Sequence, residues 1–166
     1  MENVFLIIFI LTLIVIGIVD FRIYIIPNKL IFPMLFVGVI YQVLFGNIKE
    51  MLLGFIVSFS IGFIAWSLGG MGGGDVKLMA TIGLWLGFES FVVITIIASC
   101  FGLIWAAVDF IRQKRLKEKA KHILGQLNML KYVGFKALDV KNKDMKKPIP
   151  YGACLALSTL ISLFIF

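Results

Sequence analysis

The stretch VFLIIFILTLIVIGIVD, residues 4–20, carries no charge until Asp20, and the apolar character resumes after it through residue 26. A helix needs roughly 20 apolar residues to cross a bilayer, and this run supplies them. It does not read as a cleaved signal: the only early charge is Glu2, no basic segment precedes it, and no small-residue cleavage site follows. The expectation is a retained membrane helix. The whole 166-residue chain agrees, being 61% hydrophobic and only 15% charged, with a mean hydropathy of +1.05. Soluble domains carry about 25% charged residues. One core of this size could not hide so much apolar surface from water, so a soluble enzyme, a disulfide scaffold and a disordered tail are all excluded.

Working outward, five further apolar stretches follow, at residues 30–45, 51–68, 76–88, 91–111 and 149–166. The expected fold is therefore all-α: a polytopic integral membrane protein of six transmembrane helices, forming a single membrane-embedded domain over residues 1–166. The second and fourth stretches are short and read as tilted or lying in thinned bilayer. Of the 16 Lys and Arg residues, 12 fall between Arg112 and Lys147, while Arg22, Lys29 and Lys77 flank the first and third loops. Lys49 is the one cation of the opposite side. The positive-inside rule then places the first, third and fifth loops in the cytoplasm and both chain ends outside, in the cytoplasmic membrane of a cell.

The net charge of +7 is thus a topology signal first, and no nucleic-acid motif accompanies it. The fifth loop, residues 112–148, repeats Ile123, Leu127, Leu130, Val133 and Leu138 near helical spacing, with lysines between them. It reads either as a helix lying on anionic membrane lipids or as a solvated connector. His122, the sole histidine, reads as an ordinary interfacial residue. Cys100 and Cys154 form no CxxC pair and read as small buried hydrophobes. No metal site is expected.

Charged groups at membrane depth are costly and mark function by default. Three aspartates qualify: Asp20, Asp75 and Asp109. Asp20 lies before Ile26-Pro27-Asn28, and Pro27 disfavours helical geometry at Ile26. Helix 1 should therefore end there, with Asp20 about 1.5 turns inside its cytoplasmic end. Asp75 follows Gly69-Gly70-Met71-Gly72-Gly73-Gly74 and opens the fourth stretch, again at the cytoplasmic end. Non-helical backbone at that depth requires a wet cavity or burial in protein, so the glycines predict a water-accessible cleft beside Asp75. Two carboxylates at one depth are what a two-aspartate hydrolase needs. One, ionised, takes a proton from water; its protonated neighbour polarises the scissile carbonyl, because two close carboxylates share one proton. Asp75, at a helix start, reads as the ionised partner, and Asp20, deeper in its helix, as the neutral one. The plainer readings are an N-cap for Asp75 and a buried, hydrogen-bonded residue for Asp20. Asp109 reads as an interfacial ion pair with Arg112, Lys77 as a cation snorkelling to the interface, and Gly54, Gly62 and Gly102 as helix-packing residues.

Gly72-Gly73-Gly74-Asp75 fits the GxGD signature of intramembrane aspartyl proteases. With Val76, Lys77 and Leu78 behind it, with Asp20 ahead of Pro27 and Asn28, and with Ile149-Pro150-Tyr151-Gly152 opening the last stretch, the chain resembles the prepilin peptidase family over nearly its whole length. The resemblance implies that Asp20 and Asp75 are the catalytic pair and that Gly72, Gly74, Lys77, Pro27, Asn28, Pro150, Tyr151 and Gly152 support the cleft. It implies cleavage, with no metal or organic cofactor, of a prepilin-like membrane protein at the cytoplasmic face, removing a leader ahead of a hydrophobic helix. Larger family members also methylate the new N-terminus and carry an N-terminal segment with paired CxxC motifs. The 166 residues hold no such pair, so the expectation is the short, peptidase-only type. Presenilin-like GxGD proteases place a Tyr-Asp pair in the partner helix; here Val19 precedes Asp20. Two other readings stay open: a small transporter or channel, because intramembrane acids beside a broken glycine-rich helix also mark ion pathways, and a non-catalytic assembly protein. Against the first, both acids sit near one face and no inverted repeat is visible.

Overall fold

In hydrocarbon a backbone N–H or C=O finds no water, so the apolar stretches must satisfy their own backbone as helices. The computed structural model describes residues 1–112 and 149–165. Its helices are α1 (Glu2–Ile23), α2 (Asn28–Phe45), α3 (Ile48–Ser67), α4 (Gly73–Arg112) and α5 (Tyr151–Ile165). Among the described residues, four helices are long and apolar enough to cross a membrane, and α5 is a shorter apolar helix. The amphipathic stretch expected across Ile123–Leu138, with His122, lies outside the described residues.

Two of the expected stretches are continuous in α4, yet α4 is not one rod. Gly87, at φ 75° and ψ 179°, is non-helical, a geometry that glycine adopts without a Cβ penalty. A straight helix would separate Asp75 from Ser99 by roughly 36 Å. Both instead neighbour Tyr151: its hydroxyl lies 3.4 Å from Ser99 Oγ, and its phenol and Asp75 interact electrostatically. The chain therefore folds back at Gly87, giving two arms, residues 73–86 and 88–102. The break strips the first arm's last carbonyls of helical partners. Gln42, buried on α2, supplies them: its Nε2 donates to Leu84 O at 3.1 Å and to Trp85 O at 2.6 Å. The indole N–H of Trp85 in turn donates to Met34 O at 2.9 Å, and Gly38 leaves room for that ring.

Small residues bring α3 against the first arm of α4. Gly54, Ser58 and Gly62 recur every four residues on the buried face of α3. A Cβ at Gly54 would strike the Gly83 carbonyl, and one at Gly62 would lie 3.2 Å from Val76 Cα. Such spacing lets membrane helices approach closely. The core joins Phe9, Leu13 and Ile16 of α1, Ile31 and Met34 of α2, Leu78, Ile82 and Trp85 of the first arm, Phe91 and Ile94 of the second, and Leu155 of α5. The outward faces carry Ile7, Leu11, Val43, Ile56, Ile96 and similar side chains, as a lipid-facing surface requires.

The chain divides into two units. Met1–Gly102 with Pro150–Phe166 forms the first, which holds everything above; Leu103–Ile149 forms the second, whose described part is mainly the end of α4. One expectation is corrected. Cys154 is buried, but Cys100 is exposed: it follows buried Ala98 by two residues, which turns it about 200° around the helix to the outer face. The partner proposed for Asp109, the Arg112 side chain, lies outside those described.

Candidate active site

Three chain segments build one pocket. The first is the end of α1. The helix stops at Ile23 because Tyr24 turns left-handed (φ 55°, ψ 29°) and its N–H bonds back to Asp20 O. The end therefore comes three residues before Ile26, so Asp20 sits in the last turn of α1, shallower than its spacing from Pro27 suggests. Pro27, extended at φ −68° and ψ 128°, then starts α2 with Asn28 as its first residue. The left-handed Tyr24 and extended Pro27 leave the short connector 24–26 as a wall.

The second segment is the glycine run. Helix α4 begins at Gly73, so Asp75 is its third residue rather than its N-cap. Asp75 Oδ2 accepts the Gly72 N–H at 3.2 Å, the reciprocal half of a capping box. This contact turns the carboxylate toward the glycines. A Cβ at Gly74 would lie 3.1 Å from Ile26 Cβ, so glycine here lets the connector wall lie directly on the α4 start.

The third segment is the start of α5. Pro150 is buried just before it, and the first turn aims its free backbone N–H groups inward. Ala153 N donates to Asp20 Oδ2 at 2.9 Å. The Gly152 N–H interacts with both carboxylates. Gly152 has no space for a side chain: a Cβ would lie 2.5 Å from Ile26 Cδ1 and 3.0 Å from Asp20 Oδ2.

Asp20 and Asp75, 55 positions apart in sequence, thus line a single cavity of about 250 Å³ with Tyr24, Ile25, Ile26 and the glycines 72–74. Water occupies about 30 Å³ in the liquid, so the cavity has room for several waters or a length of peptide backbone. Asp20 is buried and Asp75 partly exposed. Of the supporting residues picked from sequence, Gly72 and Gly74 form the cavity wall, and Gly152 packs against Ile26 and Asp20, which also line it. Pro27 and Pro150 set the chain direction at two helix starts. Tyr151 packs 3.6 Å from the place of a Gly102 Cβ. Lys77 is not free at the interface: its Nζ donates to Asn28 Oδ1 at 2.9 Å and lies 5.8 Å from the centroid of the Phe32 ring. Sequence reasoning missed Tyr24, Ile25 and Ala153. A left-handed tyrosine carries no residue-type signal, and Ala153 acts through its backbone.

A family model described as the type IV leader peptidase family matches residues 7–107, which include both aspartates. The chain belongs to this family. Among curated relatives, the prepilin leader peptidase/N-methyltransferase of Escherichia coli (strain K12) is 30% identical over 116 residues, 64% of this chain and 50% of that one. The protein of the same name from Aeromonas hydrophila is 24% identical over 149 residues, 82% of this chain and 41% of its own. That of Xanthomonas campestris pv. campestris is 26% identical over 155 residues, 88% of this chain and 44% of its own. The chain spans about half the length of the curated relatives it matches. No solved structure matches it.

Proposed function

We propose that the chain is an intramembrane aspartyl endopeptidase that cleaves the leader from prepilin-like membrane proteins at the cytoplasmic membrane face. One observation carries the reading: Asp20 and Asp75 line the same cavity beside a glycine wall. Family membership supports a peptidase, and the names of the relatives support the substrate class. The fold-back at Gly87 supports six spans, because it turns α4 into two passes. The positive-inside rule orients the cavity to the cytoplasm, and the basic stretch 112–148 would lie against anionic lipids on that side.

In the proposed reaction the two carboxylates share one proton. The ionised one takes a proton from a cavity water as the oxygen attacks the scissile carbonyl carbon. The protonated one donates to the carbonyl oxygen, stabilising the tetrahedral intermediate. Collapse breaks the C–N bond, the proton taken from water goes to the leaving amine, and the dyad returns to its starting state. The N–H groups of Gly152 and Ala153 hold the carboxylates without supplying a proton. No step calls for a metal or an organic cofactor.

Co-expression with a candidate prepilin and separation of precursor from product by size tests the reading. Asp20→Asn and Asp75→Asn should each slow cleavage by on the order of 10²–10⁴-fold, the usual worth of a positioned acid or base, while the protein still accumulates in the membrane. Normal processing by either variant refutes the dyad. Chelation of divalent metals should leave the rate unchanged; a loss would point to metal-assisted hydrolysis.

A further inference from the structure

We propose that Lys77 is a positioning residue: its ammonium, bonded to Asn28, latches the two walls of the cavity together and so sets the spacing at which Asp75 meets Asp20. The proposal rests on the peptidase reading above and adds a part to it.

The two walls come from separate segments. The connector 24–26 forms one and the glycines 72–74 the other. The walls touch directly, since Gly74 lets Ile26 lie against the α4 start, but the glycines 72–74 carry no side chain that could interlock with the connector. Glycines give the α4 start no side-chain grip, and Gly69 (φ 74°) places a left-handed turn just before it. A polar side-chain tie between the two segments lies just beyond the glycines. Asn28 lies two residues beyond Ile26, and Lys77 two residues beyond Asp75. Their 2.9 Å bond joins positions 49 residues apart and closes a short loop: Asp75 to Lys77, across to Asn28, back to Ile26 and the cavity.

The chemistry of the pair suits a latch more than a salt bridge. The acceptor is a neutral amide oxygen, so the contact is a charge-assisted hydrogen bond and not an ion pair. Phe32, one turn along α2 from Asn28, offers its ring face at 5.8 Å, within the range of a cation–π contact. Asn28 and Phe32 thus seat the same ammonium from one helix face. Both Lys77 and Asn28 are exposed, so the bond can open and re-form in competition with water. A closed latch holds the walls at the spacing described, and an open one releases the connector.

A latch and a merely structural lysine differ in what they do to catalysis. Misplacing reacting groups by about 1 Å can cost on the order of 100-fold in rate. A partly mobile wall should cost roughly tenfold, mainly in kcat. The test measures leader cleavage by membrane-embedded enzyme carrying Lys77→Met, Asn28→Ala, both, Lys77→Arg, and Asn28→Asp. Each of the first two should lower kcat roughly tenfold with KM within about twofold, and the double variant should be no slower than either single, since one contact is removed once. Lys77→Arg should keep most of the rate. Asn28→Asp, which leaves an acceptor, should keep it in the Lys77 background but restore nothing beside Lys77→Met. Losses that multiply in the double variant, or an effect on KM alone, overturn the proposal.

A second measurement needs no turnover. In a Cys100→Ser background, spin labels at Ile25→Cys and Gly70→Cys report the separation of the two walls. The distance distribution should broaden when Lys77→Met is added and stay narrow with Lys77→Arg. An unchanged distribution also overturns the latch. If the parent enzyme fails to cleave any precursor while the labels still respond to Lys77→Met, the peptidase reading fails and the latch stands.

Discussion

Gly152 sits where any side chain would touch both the connector wall and a carboxylate. Its missing Cβ is 2.5 Å from Ile26 Cδ1 and 3.0 Å from Asp20 Oδ2. The tip of Ile26 can swing aside, but Asp20 is held by the Ala153 N–H and has to move with it. Gly152→Ala should therefore lower the cleavage rate roughly tenfold by misplacing one reacting group. Adding Ile26→Val removes the Cδ1 atom and should not restore the rate. Recovery would place the clash on Ile26 and not on the carboxylate. At this scale the sequence was only partly legible. Asp20, Asp75 and the glycine run are visible as costly or unusual residues in an apolar chain. The donors that hold the carboxylates are backbone N–H groups of Gly72, Gly152 and Ala153, and residue type says nothing about which amide points where. Asp20 also lies shallower than expected, because a left-handed Tyr24 ends α1 before Pro27 can.

Among the elements, α4 depends on a neighbour to end its first arm. The carbonyls of Leu84 and Trp85 lose helical partners at Gly87 and take both donors of the buried Gln42 amide. Gln42→Leu should leave these acceptors unpaired in an apolar setting and destabilise the bundle by about 1–3 kcal/mol, seen as a lower unfolding midpoint in detergent. Gln42→Glu, with fewer donors, should destabilise as well. The stretches that became helices were legible from length and hydropathy. The fold-back was not, since a lone glycine inside an apolar run is also tolerated in a continuous helix, and only the contact of Tyr151 with both arms decides between the two. The close approach of α3 was partly legible: Gly54 and Gly62 read as packing residues, while Ser58 between them and Gly83 opposite did not stand out.

Over the whole molecule, the fold-back fixes which ends share a side. Lys29 and Gly70 flank the segments that form the cavity, while Lys49 and Glu89 lie near the far ends of α2, α3 and the first arm of α4. In a Cys100→Ser background, single cysteines at Lys29 and Gly70 should react with a membrane-impermeant thiol reagent from one face, and cysteines at Lys49 and Glu89 from the other. Glu89 labelling from the same face as Gly70 would contradict two passes for α4. Positive-inside counting predicts the same pairing of loops, and the labelling puts it to the test.

Order of synthesis adds a last consequence. The bond that steadies Asp20 comes from Ala153, 133 residues later in the chain. At about 5–20 residues per second, a ribosome takes on the order of ten seconds or more to reach the donor. Until then the first carboxylate is already threaded into the bilayer without its partner amide. On the proposed peptidase reading a nascent chain would therefore be inert, with cleavage waiting until the final helix is laid in place.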